Sequence, residues 1–161
     1  MSVLVSDRKE SRCESIIYSI ELHDMLLDLL SRNFGIKDLD HMVRMKYAYG
    51  QIESEDFPFY HYQMHKYKER IDKLAYLLTN NLRAAKRIHP TSMHEYEKRR
   101  DYQNDAIGNC DQLVHNLQRV VEIFDVDLNL YGRYVKAINR EIDLIKRWRQ
   151  RDNKLKTYLQ G

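Results

Sequence analysis

The stretch from Leu128 to Ile145 constrains the fold more than any other part of the chain. Leu128, Tyr131, Val135, Ile138, Ile142 and Ile145 recur at alternating steps of three and four. That spacing places side chains along one face of an α-helix. A helix carrying one apolar stripe must bury it against partners, and the rest of the sequence supplies them. Tyr67, Ile71, Leu74, Leu78, Ala85 and Ile88 keep the same rhythm, broken only at Asn81. Ile107, Cys110, Val114, Leu117, Val121 and Phe124 repeat it again.

These stripes define three helices. One runs from about Tyr60 to Ile88 and is ended by Pro90. The next opens at the capping box Ser92-x-x-Glu95, and its first third, HEYEKRRDYQND, is nearly all polar. The last starts at Asp125 or Asp127, and its next stripe position after Ile145 is Arg149. An earlier helix runs from Asp7 or Ser11 to Ser31, capped by Asp7-x-x-Glu10 or Ser11-x-x-Glu14. Its apolar residues become almost continuous toward Leu29 and Leu30, so it is contacted from more than one side. Residues 33–60, punctuated by Gly35, Gly50 and Pro58, read as an elaborated crossover with a short helix around Asp40–Tyr49.

Short links among the last three helices make them antiparallel neighbours. The expected fold is all-α: an antiparallel up-down four-helix bundle with an elaborated connection between helices 1 and 2. The whole chain, residues 1–161, reads as a single domain, with a basic C-terminal tail over about 150–161. Five Gly and two Pro are too few for an all-β fold with many tight turns. With 43% apolar or aromatic residues beside 32% charged ones, the chain has enough apolar surface to fold.

Charge is distributed unevenly. Residues 83–100 hold Arg83, Lys86, Arg87, Lys98, Arg99 and Arg100 against Glu95 and Glu97. Residues 146–156 hold Lys146, Arg147, Arg149, Arg151, Lys154 and Lys156 against Asp152. The chain is only +3 overall, so the remainder carries −6. In an antiparallel bundle the end of the second helix, the start of the third and the end of the fourth share one end of the molecule. Three basic clusters gathered there suit a phosphate backbone or another anionic partner. Cations at a helix C-terminus also complement its dipole, so one cluster alone signifies little. Trp148 lies beside the last stripe and is expected to pack at the bundle edge or against a second protomer. Tyr102 and Tyr158 are nearby rings for stacking on unpaired bases.

Chemistry of other kinds finds little support. The five glycines are isolated, so there is no phosphate-binding loop, and no serine nucleophile elbow occurs. No Glu-x-x-His pair of a di-iron bundle is present; Asp38-x-x-His41 falls in the crossover. His61 and His65, four apart, share a helix face but have no evident third ligand, and read as surface histidines. No catalytic residue, metal or cofactor is expected. Cys13 and Cys110 fall inside predicted helices and argue for a reducing, cytoplasmic setting. No apolar run approaches the ~20 residues that span a bilayer, and MSVLVSDRKE has no signal-peptide core.

Three stretches carry a resemblance to a known family: MSVLVSDRKESRCE, RIHPTSMHEYEKRRDYQNDAIGNC and VDLNLYGRYVKAINREIDLIKRWRQRDNKL. Together they resemble the Avd-like family, the accessory variability determinants of diversity-generating retroelements. That family is related to four-helix-bundle proteins encoded in intervening sequences of ribosomal RNA genes. The resemblance covers the N-terminus and roughly residues 85–155, as a diffuse pattern without a catalytic signature. It implies a non-enzymatic, cytoplasmic accessory protein that forms a homo-oligomer, a pentamer in that family, and binds a reverse transcriptase. It also implies that a basic surface engages template RNA or cDNA during mutagenic retrohoming. The basic residues of the two zones are carried over only as general electrostatic contacts. The rival reading is a helical interaction module that binds an acidic protein partner and no nucleic acid.

Overall fold

The computed structural model describes residues 13–160. Five α-helices make up nearly all of it: α1 Glu14–Ser31, α2 Leu39–Ala48, α3 Phe57–Arg87, α4 Met93–Phe124 and α5 Gly132–Gln160. Short 3-10 turns lie at Asn33–Gly35, Ser54–Asp56 and Leu128–Tyr131, and there is no strand among the described residues. The alternative caps at Asp7 and Ser11 lie outside the described residues; Cys13 stands at the N-cap position of α1.

Four helices share one core. α3 packs against α4, α4 against α5, and α1 against both α3 and α5. Leu22 and Leu26 of α1 meet Ile71, Leu78 and Leu82 of α3, Leu113 and Leu117 of α4, and Ile138 and Ile145 of α5, all buried. The buried positions of α4 are Tyr96, Arg99, Gln103, Ala106, Cys110, Leu113, Leu117, Val120 and Phe124. Those of α5 include Tyr134, Ile138, Glu141, Ile145, Trp148 and Asp152. Both series keep strict steps of three and four, the repeat that keeps one seam of a helix facing its neighbours.

Several boundaries differ from the sequence reading. α3 begins at Phe57 because Pro58 occupies its first turn, where a missing N–H costs nothing. It stops before Ile88, whose backbone turns extended ahead of Pro90. Ser92 caps α4 as expected, accepting the Glu95 N–H at 3.2 Å. The Glu95 carboxylate, however, reaches the Thr91 hydroxyl (2.6 Å), not the Ser92 backbone N–H. α4 ends at Phe124, and its C-cap Asp125 lies in the left-handed region (φ 52°, ψ 45°). α5 begins later than expected, at Gly132, because Asp127 caps a separate 3-10 turn by accepting from the Asn129 N–H. Leu128, expected to open the stripe, is therefore 61% exposed.

The crossover does contain a helix, α2, near the expected place. It buries only Val43 and is tied to α3 by the Asp40–His61 contact at 2.8 Å. Ahead of it, Asn33, Phe34 and Gly35 all have positive φ (52°, 58° and 82°). That conformation costs a bulky residue energy unless its surroundings impose it. Here Phe34 is buried, and its carbonyl accepts the Tyr131 hydroxyl at 2.6 Å. Burial pushes the Tyr131 phenol up to about 12, which keeps it a donor.

Candidate functional site

The end of α3, the start of α4 and the last turns of α5 meet, and one side chain joins all three. Arg99 of α4 is 9% exposed. Its Nη1 donates to the Ile88 carbonyl just beyond α3 at 3.2 Å. Its Nη2 donates to Asp152 Oδ1 of α5 at 3.1 Å, and its Nε lies 3.0 Å from Oδ2. The guanidinium also lies over the Trp148 ring, 5.0 Å from its centre. Gln103 completes the cluster by donating to Asp152 Oδ2 at 2.9 Å. This is a buried, charge-assisted arginine–aspartate pair, and removing either partner would leave an uncompensated charge in the interior.

The next residue, a second arginine, repeats the connection. Arg100 donates to the Arg149 carbonyl (2.9 Å) and lies 3.0 Å from Asn153 Oδ1 and 2.7 Å from the Tyr96 hydroxyl. Arg149 in turn donates to Asn104 Oδ1 of α4 at 2.7 Å. The α4-facing side of α5 is thus occupied by hydrogen bonds within the chain.

The twelve basic residues singled out from sequence therefore divide. Arg99 is buried and paired, and Arg100 and Arg149 are half-buried with their guanidinium groups engaged. Arg83 and Lys86 are half-buried. Arg87, Lys98, Lys146, Arg147, Arg151, Lys154 and Lys156 are exposed, with no ion pair among the described residues. Trp148, expected at an edge or an interface between protomers, is 6% exposed and packs inside the chain's own core beneath Arg99. The segment described as a basic tail is helical through Gln160.

The histidines face separate carboxylates: His61 meets Asp40 and His65 meets Glu69 at 2.9 Å. Among the described residues no group of three or more His, Cys, Asp or Glu is arranged to hold a metal ion. Cys110 is buried, and desolvation, reinforced by the nearby Glu141 carboxyl, pushes its thiol far above the ordinary range. No helix among the described residues is long and apolar enough to cross a membrane.

Sequence reasoning missed the centre of this arrangement. The places of Gln103 and Asp152 in the seam are missed because polar residues are not counted as stripe members. Each nonetheless lies three or four residues from its apolar neighbour in the seam, at Ala106 and Trp148. No family model, curated protein or solved structure matches the chain.

Proposed function

We propose that this protein is a non-enzymatic nucleic-acid-binding accessory protein. Specifically, we propose an Avd-like component of a diversity-generating retroelement, acting in the cytoplasm with a reverse transcriptase on template RNA or cDNA. The observation that carries the reading is the meeting of three sequence-distant basic segments around Arg99. Their exposed cations are held on rigid helix ends, which concentrates positive potential without spending the entropy of ordering a loop. Phosphates neutralised there would release counterions and give affinity that falls steeply with salt.

The same proposal takes the architecture to be an antiparallel four-helix bundle with α2 as an addition. Inter-helix contacts support it: His23–Asp72 and Ser19–Thr79 link α1 to α3 with partner numbers moving in opposite directions. Asn81–Asn109 and Tyr60–Phe124 do so for α3 and α4. Homo-oligomer formation, a pentamer by the resemblance, would use the outer face of α1, where Ile17, Ile20 and Leu27 are 38%, 42% and 43% exposed.

The test is fluorescence anisotropy with a labelled structured RNA across a salt series, with polyglutamate as competitor, alongside co-purification with a reverse transcriptase encoded nearby. A steep salt slope that falls when the exposed cations are neutralised supports the reading. Binding that ignores salt, or survives neutralisation of all three clusters, overturns it. Displacement by polyglutamate as effective as by RNA moves the assignment to an acidic protein partner.

A further inference from the structure

Within the basic end, the two sides of α5 are not equivalent. The side toward α4 is used internally, through Arg149, Asp152 and Asn153. The side toward α1 carries Arg147, Arg151, Lys154 and Tyr158, spaced four, three and four residues apart and therefore in one row. All four are exposed, Tyr158 at 83%. None of the three cations makes a hydrogen bond or ion pair among the described residues. Arg147, Arg151 and Lys154 line one open cleft with Leu144 and Glu14. Glu14 marks its inner limit, since a carboxylate repels a phosphate there.

We propose that a single-stranded nucleic acid runs along this ridge, its phosphates on Arg147, Arg151 and Lys154 and one base stacked on Tyr158. The inference rests on the nucleic-acid reading above and narrows it to one face and one strand type. Helical rise separates the three cations by about 6 and 4.5 Å along the axis, with Tyr158 about 6 Å further. A single file of charges ending in an exposed ring matches one flexible backbone with an unpaired base. A duplex presents two backbones and keeps its bases stacked on each other. An aromatic ring beside a basic track is the recurring device for binding single strands without reading their sequence.

The test compares a labelled single-stranded RNA with a duplex of equal length across a salt series. The proteins are wild type, Arg147→Ala/Arg151→Ala, Tyr158→Ala, and Lys86→Ala/Arg87→Ala/Lys98→Ala, all checked for unchanged helicity. The ridge double variant is expected to reduce the slope of log K against log salt by about 1.4, or about 0.7 per lost cation. Tyr158→Ala is expected to weaken single-strand binding about tenfold and leave the slope unchanged. A ridge variant with the wild-type slope, beside a Lys86, Arg87 and Lys98 variant that loses it, overturns the ridge and leaves the nucleic-acid reading standing. Equal duplex binding with no effect of Tyr158→Ala overturns the single-strand assignment. A wild-type protein that binds neither RNA, nor single-stranded DNA of the same length, overturns the broader reading itself.

Discussion

Glu141 sits in the seam of α5 between Ile138 and Ile145, fully buried. Neither carboxyl oxygen has a hydrogen-bond partner among the described residues. Ionising a carboxyl there would put an unpaired charge in an apolar interior, so burial pushes its pKa up from 4.5 to about 9. The unfolded chain releases this proton near 4.5, whereas the folded chain keeps it until about 9. Between those values the folded state binds more protons, so stability is highest below the lower value and falls as pH rises through the window. At ~1.4 kcal/mol per pH unit, the group removes about 3 kcal/mol by pH 7 and about 6 kcal/mol by pH 9. Glu141→Gln keeps the shape and imitates the protonated form, so it removes this pH dependence and little else. Urea denaturation of both proteins at pH 5.5 and 8.5 measures the difference, in which all other titrating groups cancel. The stability advantage of Glu141→Gln should grow by about 4 kcal/mol across that interval. In a chain of this size, about 4 kcal/mol corresponds to about 8–16 °C in Tm. An advantage that is the same at both pH values would refute the claim that Glu141 is buried without a partner.

The remaining predictions concern the joint at the basic end and the thiols. Arg99→Ala leaves the Asp152 carboxylate buried and unpaired, and thermal or urea denaturation should show a loss of about 3–5 kcal/mol. The double variant Arg99→Met/Asp152→Leu should recover much of that loss, because no charge is then left uncompensated. Ser92→Ala removes the α4 cap and should cost about 1 kcal/mol in the same assay. Cys110 should resist a thiol-labelling reagent in the native protein, whereas the half-buried Cys13 reacts; both should react in denaturant.

How much was legible follows from which residues the periodicity counted. The purely apolar seams agree in class and nearly in place: α3 from Tyr67 to Ala85, α4 from Cys110 to Phe124, and α5 from Ile138 to Ile145. The short helix in the crossover, expected around Asp40–Tyr49, lies at Leu39–Ala48, where Asp38 caps it by accepting the His41 N–H at 3.0 Å. Errors arose where the chain buries polar groups. In α5 the apolar stripe ends at Ile145, with Arg149 at the next position, whereas the buried seam also takes in Glu141 and continues through Trp148 and Asp152. Counting only apolar residues finds the buried Ile142 but passes over Glu141, because a lone buried carboxyl is costly and therefore a poor guess. The same bias made the start of α4 look like a solvated face, although Tyr96, Arg99 and Gln103 are buried there.

That bias explains why the twelve cations could not be sorted from sequence. An arginine on a helix looks identical whether it faces water or a carboxylate fifty residues away. Arg99 and Asp152 become partners only because α4 and α5 pack at one particular register, fixed by apolar residues elsewhere in the seam. The local signal that remained was positional: Arg99 falls three residues after Tyr96 and four before Gln103, in phase with Ala106 and Cys110. A charged residue in phase with an apolar seam is a candidate for a buried ion pair, and a second one on a neighbouring helix identifies the partner. Applied to this chain, that rule removes Arg99 from the contact surface. It leaves Arg147, Arg151 and Lys154, which lie out of phase with the seam through Ile145, Trp148 and Asp152 and make no hydrogen bond or ion pair among the described residues.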